Sequence, residues 1–163
     1  METNNLYIRP IRPADNAAIE AVIKTVLEEH GVNRPGTAYY DDSLKNMYQF
    51  YMQPGSVYYV GEYNGKVVGG AGVYPTIGLP QGTCEFVKLY ILPEGRGKGW
   101  GRAFIEQCAL FATGAGYKQA YLETMPELGK AVHLYQKMGF HLLDGPLGNT
   151  GHFACTIRML KSL

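Results

Sequence analysis

The sequence predicts a mixed α/β domain, one sheet with helices on both faces. Two observations carry this. Strand-like runs come first as a hairpin meander and then alternate with helical segments, an order that suits a mixed sheet better than a purely parallel one. Apolar residues also recur at 3–4 spacing in segments distinct from the strand-like runs. No repeat, low-complexity stretch or linker interrupts the chain, and 163 residues fit one domain over 1–163.

The elements follow in order. Leu6 to Pro10 reads as a short first strand. Pro13 to Glu29 reads as a helix, because Ile19, Val22, Ile23, Val26 and Leu27 form one stripe, and Gly31 ends it. A polar, tyrosine-bearing loop spans Asn33 to Asp42, and Ser43 to Met52 reads as a shorter helix. Ser56–Glu62 and Lys66–Tyr74 are strands joined at Asn64-Gly65, the strongest hairpin signal in the chain. Thr83–Leu92 is a further strand, Pro93–Lys98 a loop, and Gly99–Thr113 a helix whose stripe includes Phe104, Ile105, Cys108 and Phe111. Gln119–Glu123 is a strand. Thr124 with Glu127 three residues later suggests a capping-box start for a helix running to Met138, closed by Gly139. His152–Leu160 reads as the last strand.

Composition narrows the function classes. A formal net charge of +1 argues against a globally basic nucleic-acid coat. No run approaches the ~18 apolar residues of a membrane span, and the N-terminus has no signal-peptide core. A soluble, cytoplasmic protein is expected. Cys84, Cys108 and Cys155 are scattered in apolar runs, which favours buried thiols over a disulfide framework or a metal site. The outliers are 13 tyrosines and 21 glycines, the latter against roughly eleven expected at a glycine share of about 7%.

Gly95, Gly97, Gly99 and Gly101 crowd one junction between a strand and a helix, with Lys88, Arg96, Lys98 and Arg102 around it. Such a junction points backbone N–H groups outward from a positive dipole end, and glycine removes the Cβ that would bar a phosphate. A Walker loop is excluded, since no Gly-Lys here precedes Ser or Thr. A dinucleotide fingerprint fails at its third glycine, where Trp100, Arg102 or Phe104 stands. A plain glycine turn is the bland alternative.

The pattern Arg96-x-x-Gly99-x-Gly101 resembles the pyrophosphate-binding motif of the GCN5-related N-acetyltransferase (GNAT) superfamily. The preceding strand, Glu85 to Glu94, leads into it at the family's usual distance. Tyr121–Thr124 and Ala131–Phe140 look like the family's fifth strand and following helix. The match is close over about residues 83–141. It implies the GNAT fold: a mixed, mostly antiparallel sheet of six to seven strands, splayed between the fourth and fifth. It also implies acetyl-CoA as cosubstrate, without a metal, and an amine as acceptor.

What the resemblance implies can be set beside the chemistry. The acceptor amine must lose a proton, since an alkyl ammonium has a pKa of ~10. The tetrahedral oxyanion needs donors, and the leaving thiolate benefits from a proton. Glu85 is the candidate base; strand alternation would place it on one face with Val87, Leu89 and Ile91, where burial raises its pKa. An ion-pair role is the alternative. By the resemblance, backbone N–H groups near Leu89 and Tyr90 are the oxyanion donors and Ile91 pairs with the pantetheine arm. Arg96, Gly97, Lys98, Gly99, Trp100, Gly101 and Arg102 form the pyrophosphate cradle, and Tyr135 is the acid for the thiolate. The family commonly has asparagine seven residues before this tyrosine; here that residue is Leu128.

The acceptor is a small-molecule or peptide amine, with Tyr39, Tyr40 and Tyr74 as candidate pocket residues. The loop tyrosines equally suit a surface turn. Thr76 and His152 are further candidates near the acceptor. Three classes compete: an acetyl-CoA-dependent N-acetyltransferase working by direct attack in a ternary complex, a non-catalytic acyl-CoA-binding regulatory module, and a nucleic-acid-binding module. Having both Glu85 and Tyr135 favours the enzyme. No nucleic-acid or membrane partner is expected, and a homodimer is left open.

Overall fold

In the computed structural model, residues 5–163 are described. They form one seven-stranded sheet: β1 (Tyr7–Pro10), β2 (Val57–Tyr63), β3 (Lys66–Tyr74), β4 (Thr83–Ile91), β5 (Gln119–Thr124), β6 (His141–Leu142) and β7 (Ile157–Ser162). The strand order is β1-β2-β3-β4-β5-β7-β6. Only β4 and β5 run parallel; every other neighbouring pair is antiparallel. The hairpin at Asn64-Gly65 is present, with both residues at positive φ as a tight turn requires.

Helices cover both faces. α1 (Asn16–Glu29) and the single turn α2 (Met47–Phe50) lie on one face. There Ile19, Ile23, Leu27 and Met47 are buried against Tyr58 and Val60 of β2. α3 (Trp100–Gly114) and α4 (Gly129–Lys137) lie on the other. There Phe104, Ile105, Cys108 and Tyr135 meet Ala71, Val73 and Leu122. The apolar stripe of each long helix faces the sheet, as its 3–4 spacing dictates.

Three of the boundaries that differ from the sequence reading do so because a tertiary contact displaces a local preference. The helix expected over Ser43–Met52 breaks at Asn46, leaving a 3-10 turn (Asp42–Lys45) and α2. Asn16 of α1 supplies the side-chain oxygen that accepts from the Tyr48 N–H (2.8 Å). The capping box at Thr124 does not form. Thr124 is buried in β5 opposite Ile157, and Glu127 pairs with Arg34 (2.9 Å). A 3-10 turn at Pro126–Leu128 follows, and α4 starts only at Gly129. The last strand is Ile157–Ser162 rather than His152–Leu160, because His152 and Thr150 are drawn toward Asp41 and Glu123.

Candidate active site

β4 is the wall between two clefts. It pairs with β5 only from Thr83 to Glu85, opposite Gln119 to Tyr121. Beyond that the two strands part, and a cleft of about 750 Å³ opens, lined by Leu89, Ile91, Trp100, Gly101, Leu134 and Tyr135 among others. A second pocket of about 340 Å³ lies beside it, lined by Asp41, Phe50, Tyr74, Thr76, Glu85 and His152 among others. Val87 and Lys88 line both.

A bulge in β4 makes this double-sided wall. Gly70 pairs with Tyr90 and Gly72 with Val87, so Ala71 alone faces both Lys88 and Leu89. Lys88 takes up the extra residue with φ +51°, a left-handed conformation that costs a non-glycine residue about 1–2 kcal/mol. The bulge is braced from β2. The Tyr58 hydroxyl donates to the Lys88 carbonyl (2.8 Å). Its ring can lie there because Gly70 and Gly72 carry no side chain. A Cβ at either would sit 2.6–2.7 Å from ring carbons of Tyr58.

The bulge corrects the expectation for Glu85. Glu85 does not share a face with Leu89 and Ile91. Val87 and Tyr90 pack toward α1, whereas Phe86, Leu89 and Ile91 pack toward α3. The inserted residue flips the alternation after Val87. Glu85 therefore opens on the smaller pocket, and Leu89 and Ile91 on the larger cleft.

In the smaller pocket Glu85 is buried and accepts a hydrogen bond from the Thr76 hydroxyl. Burial pushes its pKa up to about 7, against the lowering effect of Thr76 and the charge of His152; Glu123 nearby adds to the rise. Lys88 reaches Asp41 (3.0 Å) and the Tyr51 hydroxyl (3.1 Å). Burial would pull the Lys88 pKa down; Tyr51 and Asp41 more than reverse that, so it stays an ammonium. Asp41 also accepts from His152 Nε2 at 2.8 and 2.9 Å. Burial opposes ionisation of Asp41, yet His152 and Lys88 hold its carboxyl below the usual range. Phe50 and Tyr74 stack at 4.9 Å to form an aromatic side of the pocket.

Glu85, Glu123 and His152 each bring a ligand-type atom within 4.8 Å of the others. The carboxylates are already engaged by hydroxyls: Thr76 on Glu85, and Tyr121 and Thr150 on the two oxygens of Glu123. Each of the three side chains thus already has a hydrogen-bond partner, His152 through Asp41.

In the larger cleft the four glycines divide by role. Gly97 and Gly99 have φ of +73° and +80°, and a Cβ on either would meet nothing within 4 Å, so they are left-handed turns facing open space. Gly95 and Gly101 serve packing. A Cβ at Gly95 would lie 2.4 Å from the Trp100 ring, and one at Gly101 2.7 Å from Leu134 of α4. Trp100 is buried in the core, against Tyr63 at 5.0 Å.

The cations near the loop have partners. Arg96 makes a two-armed pair with Glu29 of α1 (2.6 and 2.8 Å) and donates to the Ile91 carbonyl (3.1 Å). Lys98 lies over the Tyr63 ring (4.6 Å), and Arg102 pairs with Glu106 (2.8 Å). Lys88, grouped with this loop in the sequence reading, points instead to Asp41. The side of the loop left for an anion is chiefly backbone.

Tyr135 is buried at the far wall, edge-on to Phe140 at 5.9 Å. Burial raises its pKa above that of a free phenol, which keeps it protonated. Among the described residues no hydrogen bond engages its hydroxyl. Tyr90 packs with the α1-side core and lines the same cleft. Leu128 lines it too, where an asparagine was the family expectation. Tyr74 lines the smaller pocket, but Tyr39 and Tyr40 line neither cleft. Tyr39 donates to Glu28 (2.6 Å) and Tyr40 is exposed. Sequence reasoning missed Tyr51, Glu123 and the buried role of Lys88. Three glycines within four residues of a strand, Gly69, Gly70 and Gly72, were the available signal for a bulge and a close ring.

A sheet that parts at its one parallel pair, above a glycine-rich helix start, is the fold that the family resemblance implies. Comparison with known proteins agrees. The family model described as acetyltransferase (GNAT) family matches residues 19–140. The chain is 41% identical over 157 residues to the uncharacterized N-acetyltransferase YjgM of Escherichia coli (strain K12), covering 96% of this chain and 94% of that one. A solved GNAT-family acetyltransferase from Staphylococcus aureus Mu50 superposes with a TM-score of 0.86 at 16% identity, over 98% of this chain and 99% of the other. The PaiA N-acetyltransferase of Thermoplasma acidophilum, solved with coenzyme A, gives 0.75 at 15% identity, over 98% and 99%. The chain belongs to the acetyltransferase (GNAT) family.

Proposed function

We propose that the protein transfers an acetyl group from acetyl-CoA to a primary amine by direct attack in a ternary complex. The observation that carries this is the shared wall. The glycine cradle and Tyr135 open on one cleft, a carboxyl poised near neutrality opens on the next, and Val87 and Lys88 line both.

In this reading the larger cleft holds the coenzyme. The N–H groups from Gly97 to Gly101, at the start of α3, take the pyrophosphate. Gly97 and Gly99 leave room for it. The pantetheine arm runs along Ile91, where β4 has parted from β5. The bulge at Lys88–Leu89 re-aims the main chain toward the thioester, so that its N–H groups meet the developing oxyanion.

The acceptor enters the smaller pocket. Glu85 removes the ammonium proton; a carboxyl with a pKa near 7 is matched to that task at neutral pH. The neutral amine attacks the carbonyl carbon, the C–N bond forms, and the C–S bond breaks. Tyr135, held protonated by burial, gives its proton to the thiolate and is restored by the second amine proton. Cys155 lines the larger cleft, but burial pushes its pKa up to about 12. It stays a thiol at neutral pH and is a poor acyl carrier, which favours one-step transfer over a ping-pong route.

The test is acetyl-CoA consumption across a panel of primary amines, paired with calorimetric binding of acetyl-CoA. Turnover on at least one amine is expected. Binding without turnover on any amine points instead to an acyl-CoA-binding regulatory module, and no binding sinks both readings.

A further inference from the structure

Acetylation of an ammonium produces a proton. The amine loses two; the thiolate takes up the equivalent of one, and the other must reach water. In the reading above that proton rests on Glu85, which is only 5% exposed. A buried base that cannot discharge works once. Its path outward is therefore part of the chemistry.

Two titratable groups lie beside Glu85 with an atom inside 4.8 Å, Glu123 and His152. Glu123 has both oxygens taken by the Tyr121 and Thr150 hydroxyls. His152 differs in three respects. Its side chain is 17% exposed and lines the pocket, so it touches both the interior and the mouth. Asp41 accepts from Nε2 with both oxygens, which fixes the ring. Asp41 is itself anchored by Lys88, which Tyr51 holds in turn, so the imidazole has a rigid mount. The charged groups facing His152 are thus Asp41 from the loop before α2, Glu85 of β4 and Glu123 of β5, with Lys88 behind Asp41. The separation from Glu85 is within reach of one bridging water.

We propose that His152, oriented by Asp41, relays the proton from Glu85 to solvent after each acetyl transfer. Glu85–H gives its proton through water to the imidazole, the imidazolium releases it at the pocket mouth, and Glu85 returns to the carboxylate. No oxidant, metal or further reactant enters. His152 acts through Glu85 and does not touch the reacting carbonyl; Asp41 is a positioning residue behind it. The inference rests on the reading of Glu85 as the base for the amine.

The experiment separates first from later turnovers, using acetyl-CoA and the amine with the fastest wild-type turnover in the panel above. Glutamine at 152 can still hydrogen-bond Asp41 but cannot carry a proton. For His152→Gln, the steady-state rate is expected to fall about tenfold or more beyond any change in the single-turnover rate, the low end of a general acid–base contribution. A burst of one acetyl group per protein results. His152→Ala is expected to show the same burst, and added imidazole to restore its steady-state rate, which also shows that the fold is intact. Equal slowing of both phases, or no response to imidazole, overturns the relay while leaving Glu85 as the base. If Glu85→Gln retains the wild-type single-turnover rate, the reading of Glu85 fails first and the relay falls with it.

Discussion

The two clefts on either side of β4 are built in opposite ways. The larger is assembled mostly from one continuous stretch: β4, the glycine turn, α3, β5 and α4 supply its walls in chain order. It is chiefly apolar, and glycine geometry does much of its shaping. The smaller gathers Asp41, Phe50, Tyr51, Tyr74, Glu85 and His152 from five separate segments, and a buried network of ions and hydroxyls holds it. The difference teaches where variation is tolerated. In the proposed reading, a cradle of backbone N–H groups recognises what every acyl-CoA shares, and a pocket of distant side chains can change its acceptor by altering one loop without disturbing the cradle.

If that division is real, substitutions should separate cleanly. The largest effect is expected for Glu85→Gln, which should lower kcat about 10²–10⁴-fold and leave acetyl-CoA affinity within twofold (~0.4 kcal/mol), read by steady-state kinetics and calorimetry together. A parallel fall in coenzyme affinity would show that the clefts are not independent. Wild-type activity should rise as pH climbs through about 7, where Glu85 ionises, and Glu85→Gln should lose that limb.

The same substitution should reveal the cost of the poised carboxyl. The folded pKa of Glu85, about 7, lies above its unfolded value of 4.5. The folded state therefore binds the proton more tightly, and the wild type loses relative stability as pH rises from 4.5 to 7. Glu85→Gln carries no such charge. It should be the more stable protein above pH 7, by about 3 kcal/mol at most, with the advantage disappearing toward pH 4.5. Denaturant melts at several pH values read this directly. A pH-independent difference would contradict the buried-charge account.

Gly99→Val tests the other cleft with a smaller expected effect. Its φ of +80° strains any β-branched residue, and the added side chain projects into open space on the cradle side. Acetyl-CoA affinity should weaken about tenfold, or ~1.4 kcal/mol, while the pH dependence through Glu85 is kept. Unchanged affinity in calorimetry would remove the cradle from the coenzyme site.

Legibility followed the same division. The helix stripes, the Asn64-Gly65 hairpin and the strand-to-helix glycine turn are local patterns, so the sequence showed them at nearly their observed positions. That Gly97, Gly99 and Tyr135 line one cleft was readable because the motif residues that mark them lie close in the chain. Thr124, Glu127 and the Ser43–Met52 stretch misled because each is claimed by a distant partner: a neighbouring strand, Arg34, and the Asn16 side chain that accepts from the Tyr48 N–H. Tyr39 and Tyr40 were plausible by composition, yet the loop turns Tyr39 toward Glu28 and leaves Tyr40 in solvent.

Sequence alone determined the class of fold and the position of the strand-to-helix glycine turn, because periodicity, caps and left-handed glycines act over a few residues. Only the tertiary structure decided which side of β4 each residue serves. A single left-handed residue at Lys88 reverses the strand's alternation. It sends Glu85 to one pocket and Leu89 and Ile91 to the other. That bulge depends on a tyrosine from β2 lying across two glycines of β3, and the order of residues in β4 carries no trace of it.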